Sequence, residues 1–188
     1  HDYLVDNINY VDTGDSSYNA YSALINGIAV CSGYTECFKT LLDMLGIENA
    51  TISGEAGGQQ HIWNVVNLDN HWYHVDVTWD DPVGSSSDYI DHSYFNISAD
   101  DMALDHTWDR SRYSAYEKCG AKYSYCRYKK LPLISNVNQL NKLIYSTVKN
   151  KTAHIEFTTT YNADLKEAIS RTGQQLSYSY KNIDRVNY

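Results

Sequence analysis

Two hydrophobic periods alternate along this chain, and they divide it into helical and extended segments. Residues 3–8 put Leu4 and Ile8 four apart, the spacing at the end of an amphipathic helix. Thr13 to Ser17 is a polar loop, and residues 18–26 predict a short helix that stops at Gly27. The strongest helical stripe spans 32–45. Tyr34, Cys37, Phe38, Leu41, Leu42 and Leu45 recur at helical spacing, Gly46 follows as the stop, and Cys31 falls at the N-terminal edge. Ala50 to Ser53 reads as a strand and Gly54 to Gln60 as a polar loop. Two further strands are expected at 61–68 and 71–79, with Asp69-Asn70 between them. Asp80 to Asp88 is a loop. Residues 89–130 carry many Tyr and Asp without a clear period. Beyond Leu131-Pro132 the pattern sharpens into a helix at 137–149, a strand at 153–159, a helix at 163–172 and a strand at 176–181. Ala153, Ile155 and Phe157 alternate with polar neighbours there, as in a half-buried strand. The expected organisation is a main domain over 1–130 and a small α/β unit over 131–188, which is marginal alone at that size.

The Asp69-Asn70 pair has a geometric consequence. Both residue types tolerate positive φ, so the pair suits a two-residue hairpin turn. Leu68 then faces His71, and every facing couple sums to 139: His61 faces Thr78, and Trp63 faces Asp76. Cross-strand partners share a face, as do residues two apart. His61, Trp63, Trp72, His74, Asp76 and Thr78 therefore lie on one face, and Ile62, Val66, Leu68, Tyr73, Val75 and Val77 on the other. The second is the core face. On the first, His61 and Asp76 are diagonal neighbours with backbones roughly 7–8 Å apart, within reach of an imidazole and a carboxylate. His74, two residues from Asp76 on the same face, competes for the same carboxylate.

Composition narrows the class of function. The chain has 188 residues, a net charge of −8 and 43% apolar residues, the profile of a globular protein without a membrane span. Its basic residues cluster only around Arg127, Lys129 and Lys130, too few to make a counterion-displacing nucleic-acid surface. The 18 tyrosines are packing residues for the most part, and an exposed minority suits stacking on sugars or peptides. Of the four cysteines, Cys119 and Cys126 are close enough in sequence for a local disulfide in an oxidising compartment. No spacing matches a zinc site. A metal set of Cys31, His61, His74 and Asp76 is the weakest reading, and no cofactor is expected.

Cys31 meets the requirements of a nucleophile. A helix N-terminus favours a thiolate, a neighbouring imidazole completes the activation, and a carboxylate orients that imidazole. Backbone N–H groups at the helix start serve as oxyanion donors. A cysteine at this position is more often a small buried apolar residue, and Cys37, on the apolar stripe, reads as core.

The motifs Ala29-Val-Cys31-Ser-Gly-Tyr34, Leu45-Gly-Ile47, His61-Ile-Trp-Asn64 and Trp72-Tyr-His-Val-Asp76-Val-Thr-Trp-Asp-Asp-Pro82 together resemble the bacterial transglutaminase-like superfamily. Tyr94-Phe-Asn-Ile-Ser98 and His106-Thr-Trp-Asp109 resemble a segment common in the same bacterial proteins. The resemblance covers roughly residues 1–115. It implies an α+β fold, transglutaminase-like or papain-like, in which a helix carrying the Cys packs on an antiparallel sheet carrying His and Asp. It implies a Cys31–His61–Asp76 triad and favours His61 over His74. Eukaryotic members place an oxyanion-hole Trp ahead of the Cys, but no Trp precedes Cys31 here. Tyr21, Gln59 or Gln60 are candidates to stand in, with Trp63 and Trp79 as further substrate-binding candidates. Eukaryotic calcium sites do not carry over. The activity implied is cysteine-dependent acyl transfer on peptide, protein or cell-wall peptide amides, by hydrolysis or amine transfer. The alternative is a non-catalytic cell-wall or protein-binding module. A piece of a larger secreted or surface-attached bacterial protein is expected.

Overall fold

The computed structural model describes residues 1–14, 16–81, 90–150, 155–159, 164–165 and 167–169. By its contacts the chain divides into two compact units, His1–Tyr125 and Cys126–Tyr188. The division falls a few residues ahead of the 130/131 boundary expected from sequence, inside a four-residue helix.

The first unit opens with helix α1 (Asp2–Asn7) and a two-residue strand β1 (Asn9–Tyr10), which pairs in parallel with β2 (Ile28–Ala29). The helix expected at 18–26 is instead a 3-10 turn at Ser16–Tyr18 and a wide π turn at Ser22–Asn26, closed by Gly27 in the left-handed conformation. Helix α2 (Cys31–Met44) follows directly, and Gly46 ends it at φ +70°. Its stripe forms as read except at the end. Tyr34, Cys37, Phe38 and Leu42 are buried and Leu41 half-buried, but the helix stops one residue short of Leu45, which is 72% exposed.

Strands β3 (Asn49–Ala56), β4 (Gln59–Leu68), β5 (His71–Val75), β6 (Phe95–Ile97) and β7 (His106–Thr107) build one antiparallel sheet in the order β6-β5-β4-β3-β7. A short helix α3 (Ala99–Met102) sits between β6 and β7, capped by the Ser98 hydroxyl. The segment 54–60 is not a loop. The strand runs through it, with Glu55 facing Gln60 and Gly57-Gly58 making the turn at positive φ. Gly54 is required for a different reason. A Cβ there would lie 2.1 Å from the carbonyl oxygen of Thr107, so only glycine lets β7 close against β3.

The β4–β5 hairpin forms in the register derived from the turn. Asp69 and Asn70 both adopt positive φ, 54° and 59°, and Leu68 pairs with His71 and Asn64 with Val75. Pairing ends there. Beyond Val75 the chain bends into turns, so the expected Trp63–Asp76 and His61–Thr78 pairs do not form. One face of the sheet packs Val66, Val75 and Val77 on Tyr34, Cys37, Phe38 and Leu42 of α2. The other face, read as a polar and aromatic surface, is a second core. Ile52, Trp63 and Val65 pack there against Tyr94, Ile97 and Met102. The irregular stretch after residue 89 supplies that cover, and its short elements left no period to read.

Two side-chain bonds clamp α2 to the sheet: Thr35 Oγ1 donates to the Ile62 carbonyl (3.0 Å), and Asn64 Nδ2 donates to the Thr35 carbonyl (3.2 Å). Asn64 is 1% exposed.

In the second unit, β8 (Leu133–Ile134) follows the short helix α4 (Tyr125–Tyr128) at the division and pairs in parallel with β9 (Thr158–Thr159). The expected helix appears as α5 (Val137–Asn150). Residues 155–157 are not strand, and residues 164–165 and 167–169 are helical as expected. Ile134, Leu140, Leu165 and Ile169 form its core. The strand expected at 176–181 lies outside the described residues.

Replacing Asn64 by Ala removes the buried donor that fastens α2 to β4. The expected loss is about 1–3 kcal/mol of stability, read as a lower urea midpoint. A midpoint unchanged from the parent would show that the clamp carries no weight.

Candidate active site

Cys31 is the first residue of α2, held there by the parallel β1–β2 pair that leads into the helix. It is half-buried, while Cys37 one and a half turns on is buried. All four cysteines are free thiols in the structure. His61 stands on β4 with its ring beside the Cys31 side chain, which helps to raise its pKa. The opposite ring nitrogen, Nε2, meets Asp76 Oδ2 at 2.6 Å. Nδ1 is therefore the nitrogen that faces the thiol. Cys31, His61 and Asp76 are brought together in the order cysteine, imidazole, carboxylate.

Asp76 reaches this position because it has left the sheet. Just past the last pair of β5, it turns its carboxylate inward and is 1% exposed. Its Oδ1 accepts the Trp79 backbone N–H at 3.1 Å. Its Oδ2 accepts from His61 and also from His106 Nε2, at 3.1 Å. Burial works against the carboxylate, but the donors from His106 and His61 outweigh it and hold the group down to about 2. Burial likewise works against the His61 imidazolium, and Asp76 and Cys31 overcome it, pushing His61 up to about 9.

His74 is excluded from the carboxylate. Its Nδ1 accepts the Trp63 indole N–H at 3.0 Å, and it is fully buried. Burial, with the charges of His106 and Arg110, pushes it down to about 3, so it is a neutral structural acceptor. Trp63 is thereby committed as well. Its indole is 0% exposed, with its ring stacked 6.0 Å from His61, and it braces that imidazole from within the core, out of a substrate's reach. Trp79 is half-buried between His61 and His106, with ring centroids 6.1 and 4.6 Å away. Gln60 is exposed and donates to Glu55, and Tyr21 is 69% exposed. Tyr10 lies beside Cys31, and its hydroxyl is pushed up first by burial and then by the charge of Cys31. Tyr10 stacks 6.4 Å from Tyr34.

Sequence reasoning missed Tyr10 and His106. No motif marks Tyr10; it arrives by the pairing of Tyr10 with Ala29. His106 stood in a segment singled out by likeness, and the adjacent Asp105-His106 dipeptide was the available signal. His61, Asp76 and His106 also place three potential metal ligand atoms within 4.8 Å of one another. Cys31, His61, His74 and Asp76 do not form such a set among the described residues, because His74 faces Trp63.

Residues 1–77 match the family model described as the transglutaminase-like superfamily, a span that includes Cys31, His61 and Asp76. Among solved structures, the chain is similar to a "Putative Cysteine Protease" from Cytophaga hutchinsonii, with 20% identity over 41% of this chain and 28% of that one, at a TM-score of 0.38. It is also similar to a TGase, with 15% identity over 72% of this chain and 32% of the other, at a TM-score of 0.38. The chain thus spans about a third or less of either structure. No curated protein sequence matches it.

The shifts at the site give stability a defined pH dependence. His61 is raised on folding, so its contribution is complete below 6.5 and is lost as pH rises from 6.5 to about 9. Asp76 is lowered, so its contribution is complete above 3.8 and is lost as pH falls towards 2. The stability difference between the parent and His61→Ala, from urea titrations, is therefore expected to shrink between pH 6.5 and 9. A difference constant across that window would contradict the assigned shift.

Proposed function

We propose that this chain, whose residues 1–77 match the model of the transglutaminase-like superfamily, catalyses cysteine-dependent acyl transfer on peptide or protein amides through Cys31, His61 and Asp76. The observation that carries the reading is the alignment of Cys31 beside His61, whose far ring nitrogen is held at 2.6 Å by a buried carboxylate. A structural His–Asp pair has no need of a cysteine on the other ring nitrogen.

The chemistry follows from the geometry. With its proton on His61 Nδ1, the Cys31 sulfur attacks the amide carbonyl, and the carbonyl oxygen takes on negative charge. That oxygen develops next to the backbone N–H groups at the start of α2, with Tyr10 nearby. A substrate oxygen accepts the Cys31 N–H, and the nearby Tyr10 hydroxyl can donate a hydrogen bond to the oxyanion while keeping its proton. As the tetrahedral state collapses, His61 Nδ1–H protonates the leaving amine, leaving an acyl-thioester on Cys31. Water or an amine, deprotonated by His61, then releases the acyl group. Hydrolysis gives a peptidase or amidase, and an amine gives a crosslink. Asp76 holds Nε2 throughout, which fixes the ring so that Nδ1 faces sulfur.

The substrate class we favour is protein or cell-wall peptide, and the place of action outside the cell or at its surface. Net charge −8 suits neither an anionic membrane surface nor nucleic acid. No helix among the described residues is long and apolar enough to cross a membrane. Cell fractionation tests the location, and a strictly cytoplasmic product would overturn it.

Iodoacetamide at mildly acidic pH, followed by peptide mapping, is expected to label Cys31 far faster than Cys37, whose thiol burial pushes up. Equal rates in the folded protein would sink the nucleophile assignment. Against a generic peptide-amide substrate, Asp76→Asn is expected to cost several tens-fold or more in kcat with the fold retained. His74→Ala should cost much less. Loss of activity in His74→Ala together with survival in His61→Ala would reverse the histidine assignment.

A further inference from the structure

The mechanism leaves one buried histidine unused. His106 lies on β7, paired with Ala56 at the sheet edge, and is 1% exposed. Its Nε2 lies 3.1 Å from the Asp76 oxygen that also meets His61, and its Nδ1 lies 2.6 Å from Asp105 Oδ1. Asp105 in turn accepts the Tyr94 hydroxyl through Oδ2 at 2.7 Å. An imidazole with a carboxylate on each nitrogen donates to both only when it carries both protons, hence a positive charge. The rings of Trp63 and Trp79, 5.1 and 4.6 Å away, enclose it and keep water out.

We propose that His106, backed by Asp105, is a positioning residue for the Cys31 site: it anchors the Asp76 carboxylate and supplies the buried positive charge that keeps it ionised beneath His61. The active assembly is then a line of five groups, Cys31–His61–Asp76–His106–Asp105, rather than a triad. The proposal rests on the catalytic reading of the first three. Its physical basis is the cost of a buried anion. Asp76 sits in an aromatic core, and its neutral donor, the Trp79 N–H, compensates less than a charged one. His61 alternates between charged and neutral forms as it carries protons, so it is an intermittent counterion. His106 does not face the thiol, and its contact with Asp76 stands outside the proton relay. The bond from His106 is also the largest of the favourable influences that hold Asp76 low.

The other ionisable groups around this pair are few. Cys31 faces the far side of His61, His74 on β5 feels the His106 charge, and Arg110 acts on His74 while paired with Asp100 and Glu117. None of these substitutes for a donor on Asp76 Oδ2.

The test is the rate of Cys31 alkylation by iodoacetamide from pH 4 to 9, measured by peptide mapping on the whole chain. The variants are His106→Ala, His106→Gln and His61→Ala, each checked for a cooperative thermal transition. His106→Ala is expected to lower the plateau rate and to move the acid limb up by about one pH unit, roughly a tenfold loss on that limb. His106→Gln keeps a neutral donor near the Nε2 position. It is expected to restore most of the plateau while leaving the limb shifted, a separation that mere loosening of the fold would not produce. If both His106 profiles superimpose on the parent while His61→Ala flattens the curve, the His106 proposal fails and the triad stands. If His61→Ala also leaves the curve unchanged, both fail.

Discussion

An ionised carboxylate in an aromatic interior is the interaction on which this site depends. Asp76 is 1% exposed, where an uncompensated charge is untenable and loss of one partner costs about 3–5 kcal/mol. Three donors meet it: the Trp79 backbone and the rings of His61 and His106. Each is oriented by the carboxylate in return. The His61 ring is fixed with Nδ1 towards Cys31 because Nε2 has one place to go. The same demand explains why β5 ends at Val75. A side chain inside the regular ladder would point from the sheet at a fixed angle, whereas the turn after Val75 carries the carboxylate to both His61 on β4 and His106 on β7.

The surrounding framework keeps the distance between helix and sheet constant. Thr35 and Asn64 bind each other's element, and the apolar stripe of α2 seats on Val66, Val75 and Val77. On the opposite face, Trp63 packs against His61 and gives its N–H to His74. The motif His61-Ile-Trp-Asn64 thus reads as three jobs on one strand. His61 faces the thiol, Trp63 braces the imidazole from the core, and Asn64 ties the strand to the helix that carries the thiol.

Much of this was legible from residue order. Two adjacent residues able to take positive φ set the hairpin length, and length sets parity, so the facing of Asn64 with Val75 followed from Asp69-Asn70 alone. Helical spacing and Gly46 located α2 and put Cys31 at its start. What escaped depends on contacts distant in sequence. No local pattern reports that a ladder stops at Val75, or that Tyr94, Ile97 and Met102 cover a face that looked polar. His74 and His61 share a face, and only the Trp63 indole separates them. The polar segment 54–60 looked like a loop because its glycines serve close approach and a tight turn at once. His106 and Tyr10 reach the site through sheet-edge pairings of two residues each, too short to leave a period.

The central claim is that Asp76 fixes His61 as an imidazolium turned towards Cys31, and nitrogen-15 spectra of the imidazole side chains at pH 7 test it most directly. His61 is expected to carry protons on both ring nitrogens, with a low-field Nε2–H resonance from the 2.6 Å bond to Asp76 that is lost in Asp76→Asn. A neutral His61 in the parent protein at that pH, its single proton on Nδ1 and its spectrum unchanged by Asp76→Asn, would contradict it.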